Sequence, residues 1–366
     1  MGDSNIKTYK VGSRKSQLAL IQTNYVIRQL QDIYPSYQFN IVEINTLGDK
    51  ILDKPLPKIG EKSLFTKELE EALENGSVDF VVHSLKDLPT TLPERKIIGA
   101  VLKREDPRDC VILSKKHKDL TLKSLPEGSV IGTSSLRRTA QLCRIYPHLK
   151  ISNIRGNLNT RLKKLNESGV YDAIILAIAG VKRMNWDHEI NEILDENNIL
   201  YAVGQGALAV ECQENNYEVL SLLRPLIHRE TVLSILAERS FLRKLEGGCS
   251  APVAVNSKLN KNMIVLTGLV SSLDGSKLMK ETLKSELLND KIIEDFIDFH
   301  ADAGEPASKR MCKSASFCGI SPGPVKNADM ATVEQLGIDL ANKLINKGAL
   351  VIMEAARKEV TSTTDK

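Results

Sequence analysis

Aromatic residues are scarce in this chain of 366 residues, in which Phe, Tyr and Trp together make up 4%. Proteins that bind single-stranded nucleic acid stack bases on aromatic rings, so this scarcity argues against that class. No apolar run approaches the length of a membrane span, and residues 1–6 carry no signal-peptide core. We therefore expect a cytoplasmic protein that binds neither a membrane nor a nucleic acid.

The six cysteines form no CxxC pair and match no standard zinc spacing, so the sequence predicts free thiols and no metal site. Cys249 has the most unusual setting, because Gly247 and Gly248 precede it and leave space beside the sulfur. A small buried apolar residue would fit the same pattern. The residues alone leave open whether a bulky group or another backbone segment approaches the sulfur of Cys249 or whether Cys249 is such a buried residue.

Acidic residues are absent from residues 131–164, although the net charge of the whole chain is only +4. Arginine guanidinium groups are planar and bind a carboxylate or a phosphate through two hydrogen bonds. A solvated basic face without a ligand is the alternative, but the placement of the arginines after strands favours a polyanionic ligand. The basic residues of this stretch are Arg137, Arg138, Arg144, Lys150, Arg155, Arg161, Lys163 and Lys164.

Strand-then-helix units repeat along the first two thirds of the chain. Open α/β sheets bind ligands beyond the carboxyl ends of their strands, where helix N-termini attract anions. Arg14, Asp87 and Arg137 all follow predicted strands, so the sequence predicts an anion site there. Residues 48–62 are rich in Gly, Pro and Lys and predict a lid. The predicted strands are 7–11, 78–83, 130–131, 151–154 and 171–177, and the predicted helices are 17–33, 66–74, 136–145 and 158–165.

The pattern changes after Cys249. Three alternating segments predict an antiparallel meander, and a helix at 332–347 follows, with a capping box from Thr332 to Gln335 and Gly348 at its end. This pattern predicts a separate, smaller α+β domain. Residues 301–327 are predicted to be a loop-like insertion. The three predicted strands are 253–255, 263–270 and 278–283.

Five motifs in this order resemble the porphobilinogen deaminase family over residues 7–355, and the insertion resembles the animal-type form. The motifs are VGSR at 11–14, HSLKDLP at 83–89, GTSSLRR at 132–138, RGN at 155–157 and GGCSAP at 247–252. The resemblance implies an α/β protein with two doubly wound domains of type II solute-binding-protein kind and a smaller α+β domain with an antiparallel sheet. The implied domains are residues 1–104 with 204–227, residues 105–203, and residues 228–366.

The resemblance also implies an activity. It indicates a transferase of haem biosynthesis that joins four porphobilinogen molecules head to tail into hydroxymethylbilane and releases four ammonia molecules. A monomer is expected, with the product growing on a dipyrromethane cofactor held by a thioether to Cys249. Asp87 would be the catalytic carboxylate, although a lone Asp in such a turn is more often a turn residue. Phe65, at the edge of the lid, would cover the cleft or serve as a core ring.

Each pyrrole carries an acetate and a propionate, so the growing product brings many carboxylates into one cleft and requires many cationic donors. On the residues alone, a non-catalytic anion-binding module on the same scaffold stays open, and a nucleic-acid binder is the weaker third alternative. The cofactor- and substrate-binding residues implied by the resemblance are Arg14, Ser16, Ser84, Lys86, Thr133, Ser134, Ser135, Arg137, Arg138, Arg144, Arg155, Arg161, Arg183 and Gln205.

Overall fold

Three β-sheets organise the protein, whose computed structural model describes residues 6–50, 65–196, 198–245, 252–287 and 317–362. The strands are β1 (Thr8–Arg14), β2 (Gln38–Ile44), β3 (Phe80–Ser84), β4 (Lys96–Val101), β5 (Asp109–Leu113), β6 (Val130–Gly132), β7 (Lys150–Ser152), β8 (Ala173–Ala177), β9 (Glu192–Ile193), β10 (Leu208–Gln213), β11 (Val253–Asn260), β12 (Met263–Ser271) and β13 (Leu278–Glu286). The helices are α1 (Gln17–Ile33), α2 (Leu47–Lys50), α3 (Lys67–Glu74), α4 (Leu136–Ile145), α5 (Leu158–Glu167), α6 (Ile178–Arg183), α7 (Tyr217–Leu223), α8 (Arg229–Lys244), α9 (Asn327–Asn346) and α10 (Ala349–Ser362).

The first sheet has the strand order β2-β1-β3-β10-β4. Strands β2, β1 and β3 are parallel, whereas β10 runs antiparallel to both of its neighbours. Side chains alternate between the two faces of a strand, so Phe80 and Val82 pack with α1 and α7, while Val81 packs with α3. Helices therefore cover both faces, as in a doubly wound sheet.

The second sheet repeats this arrangement with the order β7-β6-β8-β5-β9, in which β5 is antiparallel to β8 and β9. Ile175 packs with Leu142 of α4 on one face, and Ile174 packs with Leu165 of α5 on the other. The chain passes from the first sheet to the second between β4 and β5, and it returns between β9 and β10. The carboxyl ends of the parallel strands border the space between the two sheets.

The third sheet is the antiparallel meander β11-β12-β13, and helices α8 and α9 pack against it. The two helices cross closely at Gly337 of α9. A Cβ atom at this position would collide with Ser240 and with the backbone carbonyl of Ala237 on α8. The same hydrophobic core continues to Ile98 of the first sheet and to Leu85, just after β3, so the smaller domain is packed directly against the larger one.

Much of the predicted architecture is confirmed. The α/β class and the separate antiparallel sheet are present, and the helices predicted at 17–33 and 136–145 have the predicted bounds. The first strand continues through Arg14, where the sequence pattern predicts a turn from Gly12 onward. The described residues contain no helix that is both long and apolar enough to cross a membrane.

The predicted start of the C-terminal helix is wrong. Helix α9 begins at Asn327, and Thr332 therefore lies within it, where its hydroxyl donates a hydrogen bond to the carbonyl of Ala328 at 2.9 Å. Gln335 bonds the Asp339 side chain instead of closing a capping box. A helix that was not predicted, α10, follows Gly348. Most of the expected insertion, residues 301–316, lies outside the described part of the chain.

Candidate active site

A cleft opens between the first and second sheets. One wall comes from α1, from the turn after β3 and from the segment before β10. The other comes from α4, α5, α6 and the end of β8. No acidic residue of the described chain lines this space, and the charged residues that line it are Lys86, Arg138, Arg161 and Arg183. The cleft is therefore suited to an anionic ligand.

The sheet topology explains why residues far apart in the chain line this cleft. Strands β3 and β8 end beside it, at Ser84 and Ala177. Ser84 is held in place by the side chain of Gln22 on α1, whose amide donates a hydrogen bond to the hydroxyl at 2.9 Å. Gln22 and Gly180 of α6 both line the cleft, although neither was predicted as a site residue. The signal that could have found Gln22 is a polar residue on the buried face of the amphipathic helix α1.

Asp87 lies at the end of a 3-10 turn, Leu85–Asp87, that directly follows β3. Its Oδ2 is 3.7 Å from Nη1 of Arg14, the last residue of β1, and its side chain is about one-third exposed (32%). The Arg14 guanidinium also stacks 4.3 Å from the ring centre of Phe65. The structure thus brings three of the predicted residues together beside the cleft.

Phe65 is half-buried and packs over Gly48 of α2, where any Cβ would collide with the ring. It is therefore neither a fully buried core ring nor a free surface residue. A lid function is predicted for residues 48–62, of which residues 51–62 lie outside the described part of the chain. That function stays a prediction.

Arg137 and Arg138 are both buried and share one carboxylate, that of Asp109 at the start of β5. Arg137 donates a hydrogen bond to Oδ2 at 2.9 Å, and Arg138 donates one to Oδ1 at 2.7 Å. The predicted site residue Gln205 joins this group, because its amide donates to Oδ1 at 2.8 Å. The two cations hold the pKa of Asp109 far below its usual range, although burial by itself would raise that pKa.

Asp109 is the central residue of this hydrogen-bond network, and the sequence analysis missed it. Both arginines were expected to face carboxylates of a ligand, but much of their hydrogen-bonding capacity is used inside the protein. The Nε atoms of Arg137 and Arg138 are buried and have no hydrogen-bond partner among the described residues. The signal that could have found Asp109 is a charged residue at the start of a strand that is otherwise apolar, because a buried charge needs a partner of opposite sign.

Two further predicted arginines, Arg161 and Arg183, lie on the wall formed by the second sheet, and the charge of a third, Arg155, acts on Arg161. Desolvation, together with the nearby charges of Arg138 and Arg155, lowers the pKa of Arg161 to about 10. Desolvation also lowers the pKa values of Arg155 and Arg183. Arg161 and Arg183 donate to backbone carbonyls, of Gly156 and Gly206, at 2.8 Å in both cases. These guanidinium groups remain charged at neutral pH and repel each other when no anion lies between them.

Lys86 projects from the Leu85–Asp87 turn into the cleft. Its side chain is exposed to cleft water, but protein walls surround the group and reduce its solvation. This desolvation lowers the pKa of Lys86 to about 8, and the charges of Arg138 and Arg137 act in the same direction, whereas Asp87 opposes them. Because water still reaches the side chain, the charged form remains accessible near neutral pH.

Most of the predicted hydroxyl residues form hydrogen bonds with backbone groups around the cleft. Ser16 is the N-cap of α1 and accepts a hydrogen bond from the Ala19 amide at 3.4 Å. Thr133 Oγ1 accepts from the Ser135 amide at 3.2 Å, and the Ser134 hydroxyl donates to the carbonyl of Ile154 at 2.5 Å. Ser135 occupies the N-cap position of α4, and its own hydroxyl makes no capping bond.

One predicted residue, Arg144, is not brought together with the others, and one lies outside the described part of the chain. Arg144 lies at the opposite end of α4 from Arg137 and donates a hydrogen bond to the carbonyl of Gly275, in the turn between β12 and β13, at 3.0 Å. It therefore contacts the third sheet instead of the cleft. Cys249 lies outside the described residues, between α8 and β11.

A cationic cleft between two mixed α/β lobes is characteristic of proteins that bind small polyanionic molecules. Two family models match this chain: "Porphobilinogen deaminase, dipyromethane cofactor binding domain" over residues 9–221, and "Porphobilinogen deaminase, C-terminal domain" over residues 232–294. The chain belongs to the porphobilinogen deaminase family.

Curated relatives share most of the chain. It is 53% identical to the porphobilinogen deaminase of Synechococcus elongatus over 281 residues, which cover 77% of this chain and 88% of the relative. It is 43% identical to that of Prochlorococcus marinus (strain NATL1A) over 345 residues, which cover 94% and 96%. These relatives are bacterial, so the comparisons do not support the predicted animal-type form.

Some solved structures are also similar in part. The VFT2 domain of Bordetella pertussis BvgS has a TM-score of 0.34 and 14% identity, and the match covers 59% of this chain and 84% of that domain. The periplasmic aliphatic sulphonate binding protein SsuA from Escherichia coli has a TM-score of 0.33 and 14% identity, with coverage of 66% and 71%. At these TM-scores the likeness carries no argument, and the fold class rests on the sheets described above.

Proposed function

We propose that the cationic cleft binds the carboxylates of a growing pyrrole chain and that Asp87 carries the chemical step. As a porphobilinogen deaminase, the protein polymerises porphobilinogen into hydroxymethylbilane in tetrapyrrole synthesis and uses a dipyrromethane cofactor. The observation that carries the proposal is that Asp87 directly follows Lys86, one of four cationic residues that line a cleft in which no acidic residue of the described chain takes part.

The residues around the cleft fit the cofactor, whose acetate and propionate groups are anionic. Arg155 has no hydrogen-bond or ion-pair partner for its guanidinium among the described residues, and the buried Nε atoms of Arg137 and Arg138 are also unpaired there. The cofactor supplies the primer to which substrate units are added. Arg155, Arg161, Arg138 and Lys86 would hold its carboxylates, and Cys249 would attach it through a thioether.

Asp87 would act on positive charge that develops on the substrate. Loss of ammonia from porphobilinogen leaves a cation, and the coupling step leaves a second cation that must lose a proton. A carboxylate near the pyrrole nitrogens stabilises both. Arg14 lies 3.7 Å from this carboxylate and would keep it oriented toward the cleft.

We further propose that one chain is a complete catalytic unit, because the cleft, Asp87 and Cys249 all belong to the same chain. The three domains would be residues 1–104 with 204–227, residues 105–203, and residues 228–366, each with its own sheet. The proposed location is the cytoplasm. The described cysteines that the structure records as free, among them Cys110 and Cys143, are compatible with that reducing compartment.

The tether proposed at Cys249 can be tested on the purified protein by intact mass and peptide mapping. The wild-type chain should carry an excess mass equal to two deaminated porphobilinogen units on the Cys249 peptide. Cys249→Ala should fold but carry no pyrrole adduct and show no turnover, whereas the control Cys143→Ala should keep both. A Cys249 peptide of the wild-type chain that stays unmodified after incubation with porphobilinogen would contradict the tether proposed at this residue.

Lys86 predicts a pH dependence for substrate binding. Its pKa is lowered to about 8, so the ammonium loses its charge, and with it the attraction for a carboxylate, as the pH rises through that value. We expect KM for porphobilinogen to rise by roughly fivefold between pH 7 and pH 9, since one ion pair in a wet cleft contributes about 1 kcal/mol. Lys86→Arg stays charged and should flatten this rise.

The control for that measurement is Lys163→Arg, because Lys163 is exposed and faces Glu167 on the outer side of α5. This variant should retain the wild-type dependence of KM on pH. If Lys86→Arg showed the same rise as the wild type, another group would be titrating and the role of Lys86 would be wrong.

A further inference from the structure

Arg239 is a fully buried arginine on α8 that no part of the proposed site uses. Its side chain is 1% exposed, and it forms no salt bridge with a carboxylate of the described chain. Burial lowers its pKa to about 10, so it stays charged at neutral pH. A buried cation without a paired anion is costly, so the groups that satisfy it indicate what it does.

Two of those groups lie directly after Asp87. Arg239 donates from Nη2 to the carbonyl of Pro89 at 2.7 Å and from Nη1 to the carbonyl of Leu88 at 3.3 Å. The Leu88 amide closes the turn that carries Asp87 by donating to the carbonyl of Leu85 at 3.1 Å. Arg239 therefore holds the backbone at the point where this turn ends.

The third group anchors Arg239 to a different part of the chain. The carbonyl of Cys318 accepts from both Nη2 at 3.0 Å and Nε at 3.3 Å. The segment that contains Cys318 is bonded to the edge of the first sheet, because the Ile98 amide donates to the carbonyl of Gly319 at 2.8 Å and the Ser321 amide donates to the carbonyl of Ile98 at 2.9 Å. One guanidinium thus ties the turn to a sheet edge.

We propose that Arg239 is a positioning residue, which fixes the Leu88–Pro89 backbone and thereby the direction in which the Asp87 carboxylate enters the cleft. The planar guanidinium has five donors in a fixed arrangement and can bond three carbonyls from two segments at once. A lysine keeps the charge but cannot reproduce this geometry. The inference rests on the proposed function, because it gives Arg239 a role through Asp87.

The test is Arg239→Lys in the purified protein that carries its cofactor. We expect kcat to fall by about 10- to 100-fold, the range associated with a misplacement of about 1 Å. KM and the mass of the covalent adduct should be unchanged, because the hydrogen bonds of Arg239 go to backbone carbonyls and to none of the cationic residues that line the cleft. A general loss of structure would change all three quantities.

Arg229→Met is the matched control. Arg229 lies on the same helix and bonds the buried carboxylate of Asp329 at 2.7 Å, so its removal destabilises the protein without touching the turn of Asp87. This variant should lose thermal stability and keep its kcat. A kcat loss in Arg239→Lys no larger than that in Arg229→Met would overturn the inference, as would the failure of both Arg239→Lys and Arg239→Met to yield folded protein.

A double variant separates this inference from the proposed function. If Arg239 acts through Asp87, adding Arg239→Lys to Asp87→Asn should cause no further fall in kcat, whereas additive losses would contradict the inference. If Asp87→Asn alone keeps normal turnover, the proposed function fails whatever Arg239→Lys does. If Asp87→Asn loses turnover while Arg239→Lys keeps it, only the positioning role fails.

Discussion

Asp87→Asn is expected to lower the turnover of porphobilinogen by nearly three orders of magnitude while leaving cofactor attachment and folding intact. A carboxylate about 4 Å from a developing cation, at an effective dielectric constant near 20, stabilises it by about 4 kcal/mol. The amide keeps the shape of the side chain but loses the charge. The measurement is steady-state turnover, together with the intact mass and the thermal midpoint of the variant.

The control is Asp79→Asn at the other end of the same strand. Asp79 directly precedes β3 and accepts a hydrogen bond from the backbone amide of Lys10 at 2.7 Å, so it lies away from the cleft. Its variant should retain wild-type turnover. Near-normal turnover in Asp87→Asn would remove Asp87 from the mechanism. Folding should survive that substitution, because a partly exposed ion pair such as Asp87 with Arg14 contributes little to stability.

Asp109→Asn is expected to reduce the free energy of unfolding by about 3–5 kcal/mol, the loss typical when one partner of a buried ion pair is removed. Its carboxylate is 1% exposed and is the anion for both Arg137 and Arg138. Without this charge, two guanidinium groups would remain buried without a counterion. Denaturant unfolding at neutral pH would measure the loss.

The stability that the Asp109 carboxylate provides should also depend on pH. The pKa of Asp109 is lower in the folded state than in the unfolded state. The stability that the Asp109 carboxylate adds to the fold is therefore present above the unfolded-state pKa of about 3.9, and it is lost as the pH falls from there toward the folded-state pKa. The stability difference between the wild type and Asp109→Asn should therefore shrink in acid. Asp106→Asn is the control, since Asp106 pairs with a partly exposed arginine, Arg108, and should cost no more than about 1 kcal/mol. Equal losses in the two variants would contradict the buried network.

The Asp109 network also changes what is expected of its arginines. From the sequence, replacing Arg137 or Arg138 should hinder cofactor assembly or elongation more than stability. Because both side chains are buried and bonded to Asp109, their replacement should also lower stability. Arg138 differs from Arg137 in that it also lines the cleft. Its loss should therefore affect ligand binding as well.

The local sequence was sufficient to predict several strands and helices. It was also sufficient to predict that the site lies at the carboxyl ends of the parallel strands. Alternating apolar residues and helix start signals identified β3, α1 and α4, because side-chain periodicity depends only on neighbouring residues. Arg14 and Asp87 follow strands, and the carboxyl ends of parallel strands meet at one edge of a sheet. The predicted anion site after these strands therefore followed from the order of strands and turns along the chain. The start of α9 was placed wrongly because a capping-box pattern also occurs inside helices.

Tertiary structure alone decided how the charges are shared. In the sequence, Arg137 and Arg138 look like two neighbouring cations that face the cleft. In the structure, Asp109 on the antiparallel strand β5 forms a salt bridge with each of them. Arg144, on the same helix, contacts the third sheet. Arg239 is fixed to the turn of Asp87 by residues 150 and 151 positions away in sequence. Such pairings depend on which distant segments pack together, and local periodicity contains no information about them.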